Sequence, residues 1–386
     1  MSAVKVGINT LFLIPGEVGG TETYLRDVLR AAVPRQPFVQ WVLFTNAENH
    51  ASFEVAFAGS DRVRLWPTGV HARNRPSRII LEQVQLPLLA RRAGVDVLWS
   101  PGYTAPLLAP CPQVVTVHDM QYRRFPEDFS PVALLATRLL VPLSIRVARR
   151  VIAVSEFSRR EILDAVHAAP EKIVSIHSAA GPEFSCGLPD GEGAKRREAL
   201  IPPGAYILCV ANSYPHKNIH TLVEAFGRMS RSAGCRLVLV GGARRGEPQV
   251  QGALDHLPGR DRVIRLGGLD RRDLVALYQG ATVFAFPSLY EGFGLPVLEA
   301  MGAGVPVVVA DCGPMREIGG DAIRYCDGSS ADLARHLDDL MGLAAADRAD
   351  LVAKARERAA TFSWEETADQ TVAVLEKVVS GSRTTG

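Results

Sequence analysis

Short, nearly unbroken apolar runs recur along the first half of the chain, at residues 5–9, 41–44, 95–99, 113–117 and 150–154. Runs this short, without polar alternation, suit strands covered on both faces. Between them the apolar positions change to helical spacing, as over residues 22–32 and 155–166. Strand followed by helix, repeated, predicts a parallel α/β sheet. A second series follows, with strands expected at residues 206–210, 236–240, 263–266, 282–286 and 305–310. The expected architecture is therefore two doubly wound domains. In such sheets ligands bind beyond the carboxyl ends of the strands, so the loops after the strands are where chemistry is expected.

Length supports two domains, since 386 residues exceed what one hydrophobic core usually serves. The stretch 181–193 is rich in Gly and Pro and poor in large apolar residues, and reads as the linker. The expected domains are residues 1–183 and 184–363, leaving 364–386 as a terminal segment.

Composition adds exclusions. An apolar share of 47% with 22% charged residues is ordinary for a globular protein, and 43 basic against 41 acidic residues give a net charge of +2. That balance supplies no bulk drive toward nucleic acid. Cys111, Cys186, Cys209, Cys235, Cys312 and Cys326 are scattered, without the close pairs of a metal or redox motif, and read as thiols in a reducing compartment. No run reaches the ~20 apolar residues of a spanning helix. The apolar N-terminus, interrupted by Gly7, Asn9 and Thr10, reads as a first strand rather than a leader, which implies a cytoplasmic location.

Residues 282–311 carry the most information, reading as strand, glycine loop, short helix and strand. Pro296 suits a first helical turn, and Gly302 and Gly304 suit the exit. Gly292 and Gly294 let the backbone approach a ligand, and the start of the helix at Leu295 suits a diphosphate. Glu291 precedes this helix and Glu299 lies about one turn inside it; a carboxylate so placed can accept the paired hydroxyls of a ribose. Two glutamates eight positions apart are, by themselves, equally consistent with solvated or capping carboxylates.

The whole passage Pro287-Ser-Leu-Tyr-Glu-Gly-Phe-Gly-Leu-Pro-Val-Leu-Glu-Ala-Met-Gly-Ala-Gly-Val-Pro-Val-Val308 closely resembles the signature of glycosyltransferase family 4. The resemblance extends over nearly the full chain. It implies the GT-B architecture, in which two Rossmann-like parallel-sheet domains face a cleft, and sugar transfer from a nucleotide diphosphate donor with retention of configuration. It implies donor contacts for Glu291, Gly292, Phe293, Gly294, Leu295 and Glu299. Gly19-Gly20-Thr21-Glu22 resembles the family's glycine loop at the donor phosphates, and His118-Asp119 the position that contacts the transferred sugar. Ser155-Glu-Phe-Ser158 resembles its serine-rich turn, with ordinary helix capping as the competing reading. Pro215-His216-Lys217-Asn218 resembles its phosphate-binding stretch, in which Lys217 would neutralise the diphosphate. Phe362-Ser-Trp364 and the apolar-periodic segment to Val379 resemble the last helix, which crosses back onto the first domain.

One departure stands out. Many relatives carry an Arg a few residues before the Lys, where this chain has Ala211 and Asn212; Asn212 and His216 are then candidate donor contacts, and His216, Arg244 or Arg245 candidates for the second positive charge. The Pro-His-Lys-Asn wording resembles a branch rich in mannosyl- and related hexosyltransferases of bacterial surface polysaccharides. It favours GDP-mannose as donor, with a UDP-hexose second.

The catalytic set implied is His118, Glu291 and Lys217, with no dedicated general base and no metal, since the chain contains no Asp-x-Asp pair and the nearest approach, Asp190-Gly-Glu192, lies in the expected linker. A glycan, glycolipid or small hydroxyl-bearing molecule would be the acceptor. Arg123, Arg124, Arg138, Arg146, Arg149 and Arg150 gather around the apolar segment 131–148, which reads either as a surface for an anionic membrane or as a solvated basic face beside a core stripe. Two rivals remain at this level: another enzyme on the same fold, such as an epimerase, and a non-catalytic glycan- or partner-binding member.

Overall fold

A computed structural model describes residues 4–383. Residues 1–3 of the expected first domain and 384–386 of the terminal segment lie outside the described residues. The chain divides into two compact units, one of residues 1–123, 131–178 and 364–386, the other of residues 124–130 and 179–363.

The first unit is built on β1 (Val4–Asn9), β2 (Val39–Thr45), β3 (Val63–Pro67), β4 (Val97–Ser100), β5 (Gln113–Val117), β6 (Arg150–Ala153) and β7 (Ile173–Ser175). They pair in parallel in the order β3-β2-β1-β4-β5-β6-β7. Every residue of β4 and β5 is buried, which is what their unbroken apolar runs require. The edge strands β3 and β7 escaped the sequence reading because they are only partly covered, so their sequences carry no continuous apolar run.

The second unit holds β8 (Tyr206–Val210), β9 (Arg236–Val240), β10 (Val263–Leu266), β11 (Val283–Phe286), β12 (Val307–Ala310) and β13 (Arg324–Cys326). Again all pairs are parallel, in the order β10-β9-β8-β11-β12-β13. Both sheets therefore follow the doubly wound order, with one point in each where the winding reverses: between β1 and β4, and between β8 and β11. Such reversal points leave a crevice at the carboxyl ends of the two strands, because their outgoing connections cover opposite faces.

The terminal helix Trp364–Arg383 clusters with the first unit. It lies against the helix Gly20–Arg35, burying Trp364, Ala368, Thr371, Val372 and Leu375. Thr367 Oγ1 donates to the His177 carbonyl at 2.6 Å, and Arg35 and Asp369 pair at 2.5 Å.

The stretch 181–193, expected as the linker, lies within the second unit. It contains the helix Pro182–Cys186 and the start of the helix Glu192–Leu200, both packed on the second unit. Phe184 is buried edge-on to the Tyr278 ring with centroids 5.4 Å apart, and Arg271 bonds Glu183. Few large side chains are needed here, because one phenylalanine and an ion pair fix the turn. The chain passes from one unit to the other at residues 178–179, ahead of this brace.

Leu375 is fully buried where the terminal helix meets the first unit. Leu375→Ala should cost about 3 kcal/mol, from lost apolar transfer and the cavity left behind; urea unfolding followed by tryptophan fluorescence reads it, and a change under about 1 kcal/mol would contradict this packing.

Candidate active site

In the second unit, the reversal point brings two loops together, one leaving β8 and one leaving β11. The first contains the single turn Pro215–Lys217 and ends at Asn218, whose left-handed φ of 54° starts the helix Ile219–Arg228. Leu289 N donates to the His216 carbonyl at 2.8 Å and Ser288 Oγ to the Tyr290 carbonyl at 3.0 Å, lacing the second loop to the first and to itself. The result is that Lys217 Nζ lies 2.5 Å from Glu291 Oε1, with both side chains mostly covered. The ammonium also lies 5.5 Å from the centre of the Phe286 ring.

Beyond Glu291 the chain enters the helix Leu295–Ala303 through Gly294, whose φ of 114° excludes other residues at low cost. Pro296 sits in its first turn, and Gly304 closes it with φ 79°. This helix is buried along most of its length, with Val297, Leu298, Ala300 and Met301 wholly covered. Its amino end thus emerges beside Lys217 and Glu291. An ammonium and a helix N-terminus at one crevice can together hold a diphosphate.

Glu299 is buried, and its Oε2 accepts from the Tyr278 hydroxyl at 2.9 Å. Burial and the adjacent carboxylate hold the Tyr278 hydroxyl far above the usual tyrosine range, so it remains the proton donor of this pair. Tyr278 comes from the helix Arg271–Gly280 and carried no signal in the sequence. Cys312, also unforeseen, donates its thiol to the Ser288 carbonyl at 2.8 Å, and burial with the nearby Glu291 pushes it up to about 12, which keeps it a thiol.

His216 faces inward. Its Nδ1 lies 2.6 Å from Asp128 Oδ2, and its ring stacks on Tyr214 and is flanked by Phe125. Asp128 and Phe125 belong to residues 124–130, which cluster with the second unit although the sequence around them belongs to the first. No local pattern could have revealed that pairing, since it joins positions 88 apart. Asn212 Oδ1 accepts from Gly242 N at 2.8 Å, tying the loops after β8 and β9. Arg244 turns its Nη1 to the Ala243 carbonyl at 3.1 Å, and Arg245 is exposed.

In the first unit, Gly19 caps the helix Gly20–Arg35 with φ 57° and ψ −132°, a conformation open to glycine alone. Both Gly19 and Gly20 are exposed, and a side-chain atom built on Gly19 would meet nothing within 4 Å. The backbone conformation, rather than local crowding, therefore explains the glycine.

His118 follows β5 and its Nε2 donates to the Pro101 carbonyl at 2.8 Å, which fixes the tautomer and leaves Nδ1 without the proton. Tyr24 packs edge-on to the ring, with centroids 5.0 Å apart. Burial holds the imidazole below the usual histidine range, against the opposing pull of the Pro101 carbonyl and Asp119, so it is uncharged at neutral pH. Ser155 caps the helix Glu156–Val166 by accepting from Ser158 N at 2.9 Å, and Ser158 Oγ donates to the His118 carbonyl at 2.9 Å. The capping reading of this serine turn is therefore realised, with the second serine also holding His118.

Two further features lie at the carboxyl ends of these strands. Tyr103, at φ 72°, is a strained non-glycine residue whose hydroxyl donates to Asp119 Oδ2 at 2.6 Å. At the β1/β4 reversal, Asn9 Nδ2 donates to the buried Glu82 at 3.2 Å and contacts Ser100 Oγ at 3.4 Å. Glu82 lies in a π-helical turn, Leu81–Gln85, a local irregularity frequent at functional positions.

Two parallel, doubly wound sheets, one in each unit, are the layout of one class, the GT-B glycosyltransferases, and the comparisons with known proteins agree. The family model described as Glycosyltransferase Family 4 matches residues 18–183, and that described as Glycosyl transferases group 1 matches residues 192–358. O-antigen chain mannosyltransferase B of Escherichia coli is 30% identical over 267 residues, covering 67% of this chain and 68% of that protein. O-antigen chain mannosyltransferase RfbU of Salmonella typhimurium is 29% identical over 216 residues, 56% of each chain. Among solved structures, Anabaena HepE in complex with UDP and glucose superposes with a TM-score of 0.74 at 22% identity, covering 97% of this chain and 100% of that one. The chain belongs to glycosyltransferase family 4 and is a glycosyltransferase.

Two consequences of the site are measurable. Alanine at Gly294 would have to adopt φ 114° with its Cβ 2.7 Å from Met315 Cε. Gly294→Ala should lose about 1–3 kcal/mol of stability in urea, and retention of wild-type stability would contradict the strained entry to the helix.

For His118, the unfolded chain binds a proton near the ordinary pH of about 6.5 and the folded chain only below it. Its contribution is complete above that pH and is lost as pH falls toward the lower folded value. Wild type should therefore lose more stability between pH ~7 and ~5 than His118→Asn does. Parallel urea midpoints for the two proteins across that range would show the imidazole to be exposed to solvent.

Proposed function

We propose that this chain is a retaining hexosyltransferase that moves mannose from GDP-mannose to a hydroxyl of a glycan or glycolipid acceptor in surface-polysaccharide or glycoconjugate synthesis. The observation that carries the reading is the meeting of Lys217 and Glu291 at the β8/β11 reversal, beside the amino end of the helix Leu295–Ala303. The likeness to two O-antigen mannosyltransferases supports mannose over other hexoses. A UDP-hexose is the second reading, supported by the shared fold of a protein solved with UDP and glucose.

Transfer separates charge: positive charge grows on the sugar ring and negative charge on the leaving diphosphate. Lys217 and the helix start at Gly294 and Leu295 stabilise the diphosphate. When a diphosphate competes for the Lys217 ammonium, the Glu291 carboxylate is released toward the sugar hydroxyls. Glu299, held by Tyr278, takes the ribose. Gly292 and Phe293 shape the backbone around the donor. His118, neutral and oriented by Pro101, positions the sugar. His216, paired with Asp128, and Asn212, bonded to Gly242, shape the phosphate loop, and Lys217 supplies its charge. A same-face attack assisted by the leaving phosphate requires no separate base and no metal. The enzyme acts on the cytoplasmic side, with peripheral contact to the membrane.

The deciding experiment is thermal stabilisation of the purified protein by a panel of sugar nucleotides. A donor at ~100 times its dissociation constant should add about 2.7 kcal/mol. GDP-mannose should give the largest shift, Glu299→Ala should abolish it, and Tyr278→Phe should reduce it. A larger shift with a UDP-hexose would replace the donor, and no shift with any sugar nucleotide would favour a non-catalytic glycan-binding role.

A further inference from the structure

The helix Pro131–Val147 leaves the carboxyl end of β5 and returns to the amino end of β6, and it contains no acidic residue. One side of it is core: Val141, Ser144 and Ile145 are buried. The other side carries Val132, Leu135, Leu139, Leu143 and Val147, spaced three or four apart and exposed by 79, 62, 56, 36 and 42%. That spacing forms one stripe about 22 Å long. A soluble helix normally turns polar residues to water, so a full-length apolar stripe marks a surface that some apolar phase covers.

The stripe ends in a cluster of cations. An open depression of about 730 Å³ lies at the amino ends of β5, β6 and β7, and its walls include Arg146, Arg149, Arg150 and Lys172. One carboxylate, Glu171, shares it. Lys172 Nζ donates to the Arg146 carbonyl at 2.6 Å, which fixes the ammonium at the end of the helix. Burial and the adjacent Arg149 and Arg150 hold that ammonium below the usual lysine range, the mark of cations gathered with too little countercharge. On the opposite wall Leu107, Leu108 and Ala109 line the depression, and Leu108 is 82% exposed.

The wall and the helix are one construction. Ala105 N donates to Ser144 Oγ at 3.0 Å, and Leu107 N donates to Gln83 Oε1 at 2.9 Å, so the loop carrying Leu108 is pinned to the apolar helix on one side and to residues 81–85 on the other.

We propose that this face, the stripe Val132–Leu135–Leu139–Leu143–Val147 with the Arg146–Arg149–Arg150–Lys172 depression at its end, is a docking surface for an anionic lipid bilayer, the stripe entering the acyl boundary and the cations taking lipid phosphates. It extends the reading of peripheral membrane contact by assigning the residues. Charge selects the occupant: a cationic cluster beside an acid-free apolar stripe complements an anionic lipid surface. Two copies meeting through this face would bring like charges together.

The test is flotation of the full-length protein with vesicles of phosphatidylcholine alone or with ~30% phosphatidylglycerol. Anionic vesicles should capture it and neutral ones should not. Arg146→Gln with Arg149→Gln should weaken capture about 30-fold, two cations' worth at ~1 kcal/mol each, and Leu135→Ser with Leu139→Ser should abolish it. Both double variants should keep the wild-type thermal shift with the sugar nucleotide, which shows them folded. Equal capture by neutral and anionic vesicles, or undiminished capture of the Arg146→Gln/Arg149→Gln protein, overturns the proposal. A wild-type dimer in sedimentation that Leu135→Ser/Leu139→Ser converts to monomer also overturns it, by giving the face to a second copy. Capture intact in a protein that no sugar nucleotide stabilises upholds the surface and defeats only the donor reading.

Discussion

The parallel pairing of β8 directly with β11 is the constraint on which the candidate site of the second unit depends. Those strands lie more than seventy residues apart in sequence, and the intervening β9 and β10 are wound to one side. Their outgoing loops therefore leave side by side at the same edge, with no strand between to separate them. Lys217 and Glu291 meet because of this winding, and the hydrogen bonds between the two loops hold the meeting in place. The helix Leu295–Ala303 then starts at that edge, since a single glycine turn is all that remains between Glu291 and its first residue.

In each unit, polar groups among the candidate site residues are fixed by buried partners. Tyr278 holds Glu299, Asp128 holds His216, and the Pro101 carbonyl holds His118. Each pair sits where an unpaired polar group would be costly, so each orients its side chain strongly. The brace Pro182–Cys186 works in the same direction by packing Phe184 edge-on to Tyr278.

The first unit uses the two ends of its sheet differently. Gly19, His118 and the Asn9–Glu82–Ser100 cluster lie at the carboxyl ends, where the loops are positioned by strained or irregular backbone. The basic depression lies at the amino ends of β5, β6 and β7, where no crevice is created by the winding. The helix Pro131–Val147 joins these two ends. Its inner side stabilises the sheet while its outer side stays apolar, a combination that packing within the chain does not require.

The sequence by itself determined the strands buried on both faces, the two parallel sheets, and the strand–glycine loop–helix unit at residues 282–311, because unbroken apolar runs and a glycine-proline helix start are local signals. It also supplied the family, through a passage long enough to be distinctive. It missed β3, β7 and β13, whose partial exposure weakens the apolar run, and took the brace at 181–193 for a linker because one buried phenylalanine leaves little trace in composition. It left the basic segment 131–148 open between a surface for an anionic membrane and a solvated basic face beside a core stripe, since the pattern alone does not show which apolar positions the chain covers. Only the tertiary structure paired Asp128 with His216, Tyr278 with Glu299 and Lys217 with Glu291, since each pairing depends on which distant strands and helices become neighbours, and no local pattern encodes that.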